Sequence, residues 1–329
     1  MLTKNDKINP LFFEEIERPD QPLKMSEGPS IEEPVRVRSS KLNPGHRSLI
    51  ARHRMMRGLP EKVSTLSEED IDISACKFCH PSELCSESED ERTRIHIGKS
   101  EFILASNPFY YLPGHAVLFP VMGPHKLSKA GEEDWKALIA AGAEAARNPS
   151  GYRFGFNAGT YLCCGGSQRH LHLQLVPLKA MAPNEEALAA SLPGGMAFDR
   201  LEAAFRDKGL LVEEADGGGA FLAASWAPRF NLELLAVFSR ARRFADMKQA
   251  DLDVLARWIH ETAARFVVPQ GGGLNGFGLE VPGFPFMVRI IPRLPGAVQA
   301  FMETGAGCMV ISYLPESVPE LWRKAGRSE

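Results

Sequence analysis

Between Arg169 and Val176 the chain alternates strictly. Leu171, Leu173 and Leu175 fall on one parity, and His170, His172 and Gln174 on the other. A period of two puts successive side chains on opposite faces of a β-strand, so the run predicts a strand that buries its leucines and displays its polar groups together. Just ahead of it lies Cys163-Cys-Gly-Gly-Ser-Gln168. Glycines lack a Cβ and let backbone N–H groups crowd round an anion. A histidine shortly past such a loop can aim its ring at the same phosphate. Imidazole suits attack on phosphorus, because a large neutral fraction exists near pH 7 and the N–P bond it forms passes readily to the next acceptor.

The rest of the chain frames that segment. Residues 1–66 are rich in Pro, Glu, Arg and Lys without a sustained apolar period, which predicts an extended arm with a short helix near Leu49–Met56. Arg36, Arg38, Lys41, Arg47, Arg52, Arg54 and Arg57 make the arm locally basic. It is either a solvated surface or a source of guanidinium forks for a substrate phosphate. Ordered structure is expected from near Ile71: strands at Phe102–Ala105, Ala116–Val121 and Tyr152–Asn157, and an Ala-rich helix at Trp135–Ala146 behind the acidic turn Glu132–Asp134.

The plan then repeats, with strands at Asn231–Phe238, Leu274–Val281 and Pro285–Ile291 and a helix at Leu252–Phe266. Ungapped comparison sets Phe119–Trp135 against Phe238–Val254, and His170–Pro177 against Pro285–Pro292. His125 then falls on Phe244, His170 on Pro285, His172 on Met287 and Gln174 on Arg289. The chemistry of the first half is missing from the second.

Composition excludes several classes. A net charge of -3 gives no basic field for nucleic acid. No apolar run reaches the ~18 residues of a membrane span, and Met1 leads into polar sequence rather than a signal peptide. A cytoplasmic location is the expectation. Cys76 and Cys79 form a C-x-x-C, which in a reducing compartment reads as metal or redox chemistry. Cys85, Cys163, Cys164 and Cys308 show no partner spacing.

The pattern H-φ-H-φ-Q at His170–Gln174, after Asn157-Ala-Gly159 and the Gly-Gly-Ser loop, resembles the active-site run of galactose-1-phosphate uridylyltransferases and dinucleoside-polyphosphate phosphorylases. These form the transferase branch of the histidine-triad superfamily. Asn107-Pro-Phe109 through Pro113-Gly-His115 to Pro120 resembles the superfamily's N-x-F-P…P-G-H run, and Cys76-Lys-Phe-Cys79 its C-P-F-C metal knuckle. Ile290-Ile-Pro-Arg293, Gly307–Val310 and Leu314–Glu316 resemble the end of the transferases' second repeat. The resemblance spans roughly residues 70 to 320.

It implies an α+β fold of two tandem histidine-triad-like halves, antiparallel sheets with packed helices: an arm at 1–66, a catalytic half with a zinc knuckle at 67–190 and a degenerate half at 191–329. It implies that His172 is the nucleophile and that Gln174 binds the phosphoryl oxygens. Asn107 would contact the nucleoside, and Asn157, Gly159, Gly166 and Ser167 would shape the phosphate pocket. Cys76, Cys79, His125 and His170 would hold one structural zinc, since two thiolates and two imidazoles close a tetrahedral site. His80, Cys85 and His115 are rival ligands. Pro285 and Met287 stand where relatives with a second metal keep histidines, so no metal is expected there.

Gln174 separates reactions. Histidine-triad hydrolases carry a third histidine at this position, able to protonate a basic leaving group; glutamine cannot. A leaving phosphate, with a second pKa of ~6, needs no such help. The expected activity is therefore transfer of a nucleoside monophosphate from a nucleoside diphosphate derivative such as a nucleotide sugar to a phosphorylated acceptor. The alternatives are a phosphorylase using inorganic phosphate and a non-catalytic nucleotide-binding module. No nucleic-acid or membrane partner is expected, and a homodimer is compatible with all three readings.

Overall fold

The computed structural model describes residues 76–80, 93–107, 114–147, 151–159, 164, 169–177, 185, 188–190, 192, 194–225, 232–294 and 315–326, and the backbone of 13–18, 35–40 and 47–50. Those last three stretches are strands: β1 (Phe13–Arg18), β2 (Val35–Ser40) and β3 (Arg47–Ile50) form an antiparallel sheet in that order. Leu49 and Ile50, where the short helix near Leu49–Met56 is expected to begin, lie instead in β3. Val35-Arg-Val-Arg alternates with period two, and its unbroken register with β1 gives it backbone partners that composition alone hides. Residues 51–56 lie outside the described ones.

The main body is a ten-stranded antiparallel sheet. Its strands are β4 (Thr93–Ile97), β5 (Ser100–Ser106), β6 (Ala116–Pro120), β7 (Tyr152–Gly159), β8 (Leu173–Pro177), β9 (Leu211–Glu214), β10 (Ala220–Ala224), β11 (Leu234–Phe238), β12 (Gly273–Leu279) and β13 (Phe286–Arg293). The order is β4-β5-β6-β8-β7-β12-β13-β11-β10-β9. Read inward from either edge, it runs first, second, third, fifth, fourth in chain order. The two series meet at β7 and β12, where Asn157 lies opposite Asn275.

Helices α1 (Glu132–Ala146) and α3 (Gln249–Thr262) pack together on one face of this sheet. The helix α2 (Phe198–Asp207) lies on the other, and α4 (Val318–Ala325) contacts β9 and β10. The acidic first turn of α1 meets the positive end of the helix, and Asp134 accepts the Gly131 N–H at 2.9 Å. Gly142 lets α1 settle on β8: a Cβ there would come within 2.5 Å of Leu173 Cδ1. Leu171, Leu173, Leu175, Phe154 and Phe156 join the α1–α3 side in one core.

The strand expected from Arg169 begins only at Leu173, because the Leu171 N–H donates to the Pro124 carbonyl instead of to a neighbouring strand. The alternation of faces survives. The helix expected to run to Phe266 changes at Ala263 into a wider π turn, Ala263–Val267, ahead of Pro269. Matching backbone bonds recur in the two series: Val121 to Glu101 and Ser239 to Gly219, then Leu171 to Pro124 and Phe286 to Ala241. On that correspondence Met287 still stands where His172 does, but Arg242, not Phe244, stands where His125 does. The ungapped comparison missed the different lengths of the loops after β6 and β11.

Candidate active site and metal centre

Gly155 lies opposite Gln174 in the β7–β8 ladder. Asn157, two residues further along β7, falls on the same face as Gly155 and Gln174. Directly opposed residues of an antiparallel pair share a face, and this is the face away from α1. On it the turn Cys76–Cys79 packs with Ile103, Ala105, Val117 and Phe119.

The turn closes through a Cys79 N–H to Cys76 carbonyl bond of 3.0 Å, which brings both sulfurs to one side. His170 Nδ1 lies 3.6 Å from each sulfur, and His125 Nε2 lies 3.1 Å from Cys79 Sγ. All four candidate donor atoms fall within 4.8 Å of one another. Around a tetrahedral zinc, bonds of ~2.3 Å to sulfur and ~2.0 Å to nitrogen separate S and N by about 3.5 Å. The His170 contacts match that spacing; the His125 contact is a few tenths shorter. The His170 ring turns its Nδ1 side to both sulfurs. Burial, then the neighbouring His125 and His172 rings, push His170 down to about 4. Burial also lowers His125, and burial together with Cys76 pushes Cys79 up to about 11. Two sulfurs and two imidazoles gathered about one point suit a divalent cation, which binds thiolates and neutral imidazoles. Among the described residues no other such cluster occurs, and His80 and His115 stand outside this one.

His172 is buried and follows directly. Its Nδ1 lies 2.8 Å from the backbone oxygen of His170. A carbonyl only accepts, so Nδ1 carries the proton and Nε2 the lone pair. Burial lowers its pKa against the pull of that carbonyl, which keeps the ring neutral. Phe78 stacks on Phe119 at 4.4 Å and packs against both His170 and His172, with ring centroids at 5.9 and 4.9 Å. Through Phe78 the Cys76–Cys79 turn thus also packs against His172, a contact that sequence reading did not give Phe78.

The remaining expected residues are partly placed. Gln174 is half-buried on β8, beside Gly155. Asn107 is held by His115 twice, through its N–H to the His115 carbonyl at 2.9 Å and Nδ2 to Nε2 at 3.3 Å. Gly159 has φ +103°, and Arg169 donates to its carbonyl at 3.1 Å, tying the two ends of the glycine loop together. Gly166, Ser167, Cys85, Cys163 and Cys308 lie outside the described residues. Asn157 Oδ1 meets Asn275 Nδ2 at 2.5 Å. Asn275 comes from the second half of the chain, where a lone amide in a glycine-rich strand carried no signal. No helix among the described residues is long and apolar enough to cross a membrane.

No family model matches the chain, and no curated protein matches its sequence. Solved structures do. The fold is similar to that of a uridylyltransferase, at 18% identity and TM-score 0.57, over 68% of this chain and 84% of that one. A GalT-like protein from Arabidopsis thaliana gives 16% and 0.55, over 68% and 83%. An ADP-glucose phosphorylase from Arabidopsis thaliana with bound ADP-glucose gives 15% and 0.59, over 85% and 96%. At these identities the likeness is one of fold: the chain shares an α+β fold with these uridylyltransferase-like and phosphorylase structures.

Proposed function

We propose that this chain is a nucleotidyltransferase that works through a covalent nucleotidyl-histidine at His172. The observation that carries the reading is the tautomer of His172: Nδ1 committed to the His170 carbonyl, Nε2 left with its lone pair, and the ring kept neutral by burial. Nε2 attacks the α-phosphorus of a nucleoside diphosphate derivative. The bond from that phosphorus to the bridging oxygen breaks, and the electron pair leaves on a phosphorylated group that needs no proton. The His170 carbonyl steadies the charged ring that results. A phosphate oxygen of the acceptor then attacks the same phosphorus and returns the lone pair to Nε2, in a ping-pong cycle.

Gln174 supports the phosphoryl oxygens, and Asn157, Gly159, Gly166 and Ser167 shape their pocket. A preorganised donor of this kind contributes ~3 kcal/mol. Asn107, held by His115, faces the nucleoside. Cys76, Cys79, His125 and His170 hold a zinc that fixes the knuckle and, through His170, the carbonyl that sets the His172 tautomer. The mirrored strand order supports a duplicated unit with the catalytic half at 67–190 and the second at 191–329. In the second, Met287 is packed under α2 with Phe198, Phe221 and Phe284, leaving an apolar plug where the first half keeps its site.

The test is labelling with UDP-glucose and ADP-glucose carrying an α-phosphate label. An adduct that is acid-labile and base-stable, and absent from His172→Ala, supports the reading; no adduct with either donor, or equal labelling of the variant, overturns it. Inorganic phosphate and sugar phosphates offered as second substrates then separate phosphorylase from transferase. The fold shared with an ADP-glucose phosphorylase is the reason to include phosphate.

A further inference from the structure

We infer that Asn275, in the second half of the chain, is a positioning residue for the site in the first half: it fixes which end of the Asn157 amide faces the substrate. This rests on the nucleotidyl-transfer reading above. Asn275 Nδ2 lies 2.9 Å from the Cys164 carbonyl oxygen and 2.5 Å from Asn157 Oδ1. A peptide carbonyl can only accept, so the Asn275 atom facing Cys164 is its –NH2. Both N–H bonds are then spent, one on each neighbour. The Asn157 atom that meets the second must be its oxygen. The –NH2 of Asn157 is therefore its free end, on the face it shares with His172.

That polarity matters because phosphate and phosphoanhydride oxygens only accept. An Asn157 turned the other way would set oxygen against oxygen. The Cys164 bond adds a second constraint, since it holds the chain immediately ahead of Gly165-Gly-Ser167. The surrounding seam has no slack. A Cβ on Gly273 would come within 2.7 Å of Cys164 Cβ, and one on Gly159 within 2.7 Å of the Gly272 oxygen. The second half is thus pressed backbone to backbone against the root of the glycine loop, and Asn275 adds a side-chain hydrogen-bond donor to the ladder at that contact.

The experiment measures adduct formation on His172 by quenched flow with labelled UDP-glucose and ADP-glucose, alongside nucleotide affinity, melting temperature and zinc content. The proteins are the parent, Asn275→Ala and Asn275→Asp. We expect adduct formation to slow about 100-fold in Asn275→Ala, the scale of a small misplacement in a preorganised site, with affinity falling far less and zinc unchanged. Asn275→Asp should be slower still near neutral pH. Its rate relative to the parent should recover as pH approaches the ordinary Asp value of ~4, where the acid regains an O–H donor. A purely structural Asn275 would move melting temperature without that pH-dependent recovery.

If the parent labels and both variants label at its rate within about twofold, or the loss disappears well below their melting temperatures, the positioning role is overturned while the transfer reading stands. If the parent does not label, the transfer reading fails and this role falls with it. Should the variants not fold, a crystal structure of the parent with either nucleotide sugar decides: Asn157 Nδ2 on a ligand oxygen sustains the role, and Asn157 turned away from the ligand overturns it.

Discussion

His172 depends on a backbone atom of the residue two places before it, and that residue is itself a candidate metal ligand. Two variants separate these duties. His172→Ala should keep its zinc and lose the labelled adduct entirely. Cys76→Ser removes one of the donors around His170 and should weaken zinc binding by more than the ~10–100-fold that even an outer-shell change costs; elemental analysis and melting temperature read both effects. If Cys76→Ser retains zinc as well as the parent, the four-residue site is wrong. What was legible in the sequence here is the gathering of Cys76, Cys79, His125 and His170. C-x-x-C and H-x-H are local spacings, and one short turn and one extended segment suffice to present them. Asn275 and Phe78 were not legible, because their roles arise from partners in other elements and neither residue stands in a distinctive pattern.

At the scale of elements, a buried ion pair holds the first strand of the seam. Arg153 of β7 meets Glu185 through Nε at 3.1 Å and through a second nitrogen at 2.7 Å, and Glu185 also accepts the Glu280 N–H at 2.8 Å where β12 ends. Arg153→Met strands the Glu185 charge and should cost about 3–5 kcal/mol of stability. Adding Glu185→Gln, which keeps an acceptor for the Glu280 N–H, should restore much of it; a double variant no better than the single one would refute the pairing argument. Glu280 lies beside them, accepting the Phe244 N–H at 3.0 Å, with Arg153, Glu185 and Arg243 as charged neighbours. Burial pushes its pKa up to about 7. The folded state then binds this proton more tightly than the unfolded chain, so its contribution is complete below the ordinary carboxylate range and is lost as pH rises through 7. Glu280→Gln should therefore gain melting temperature over the parent at pH 8 relative to pH 5, by the equivalent of no more than ~3 kcal/mol. A gain that is the same at both values would show that Glu280 does not titrate in this window. None of this network could be read from the sequence, since charged residues mark a surface there until the sheet closes over them. The strands themselves were legible by period, and their ends shifted where a backbone group found a partner outside the ladder, as at Leu171.

At the scale of the molecule, the two strand series are one sheet and one core. β7 hydrogen-bonds to β12 from Gly155 to Gly159, and the core rings cross the seam, with Phe154 4.3 Å from Phe244 and 6.4 Å from Phe286. Cutting the chain near residue 190 exposes both. The unpaired edge of β7 becomes a template for another chain, and each large side chain uncovered forfeits roughly 1.5–3 kcal/mol. The loss exceeds what a domain of ordinary stability can spare. Residues 67–190 expressed alone should therefore self-associate, as light scattering would show, and form no His172 adduct. Supplying 191–329 in the same cells should yield a soluble complex that labels, because it restores the edge partner of β7, the rings around Phe154 and the Asn275 amide together. A monomeric 67–190 that labels at the rate of the full chain would show instead that the second half is dispensable to the site, and would count against the seam as its scaffold.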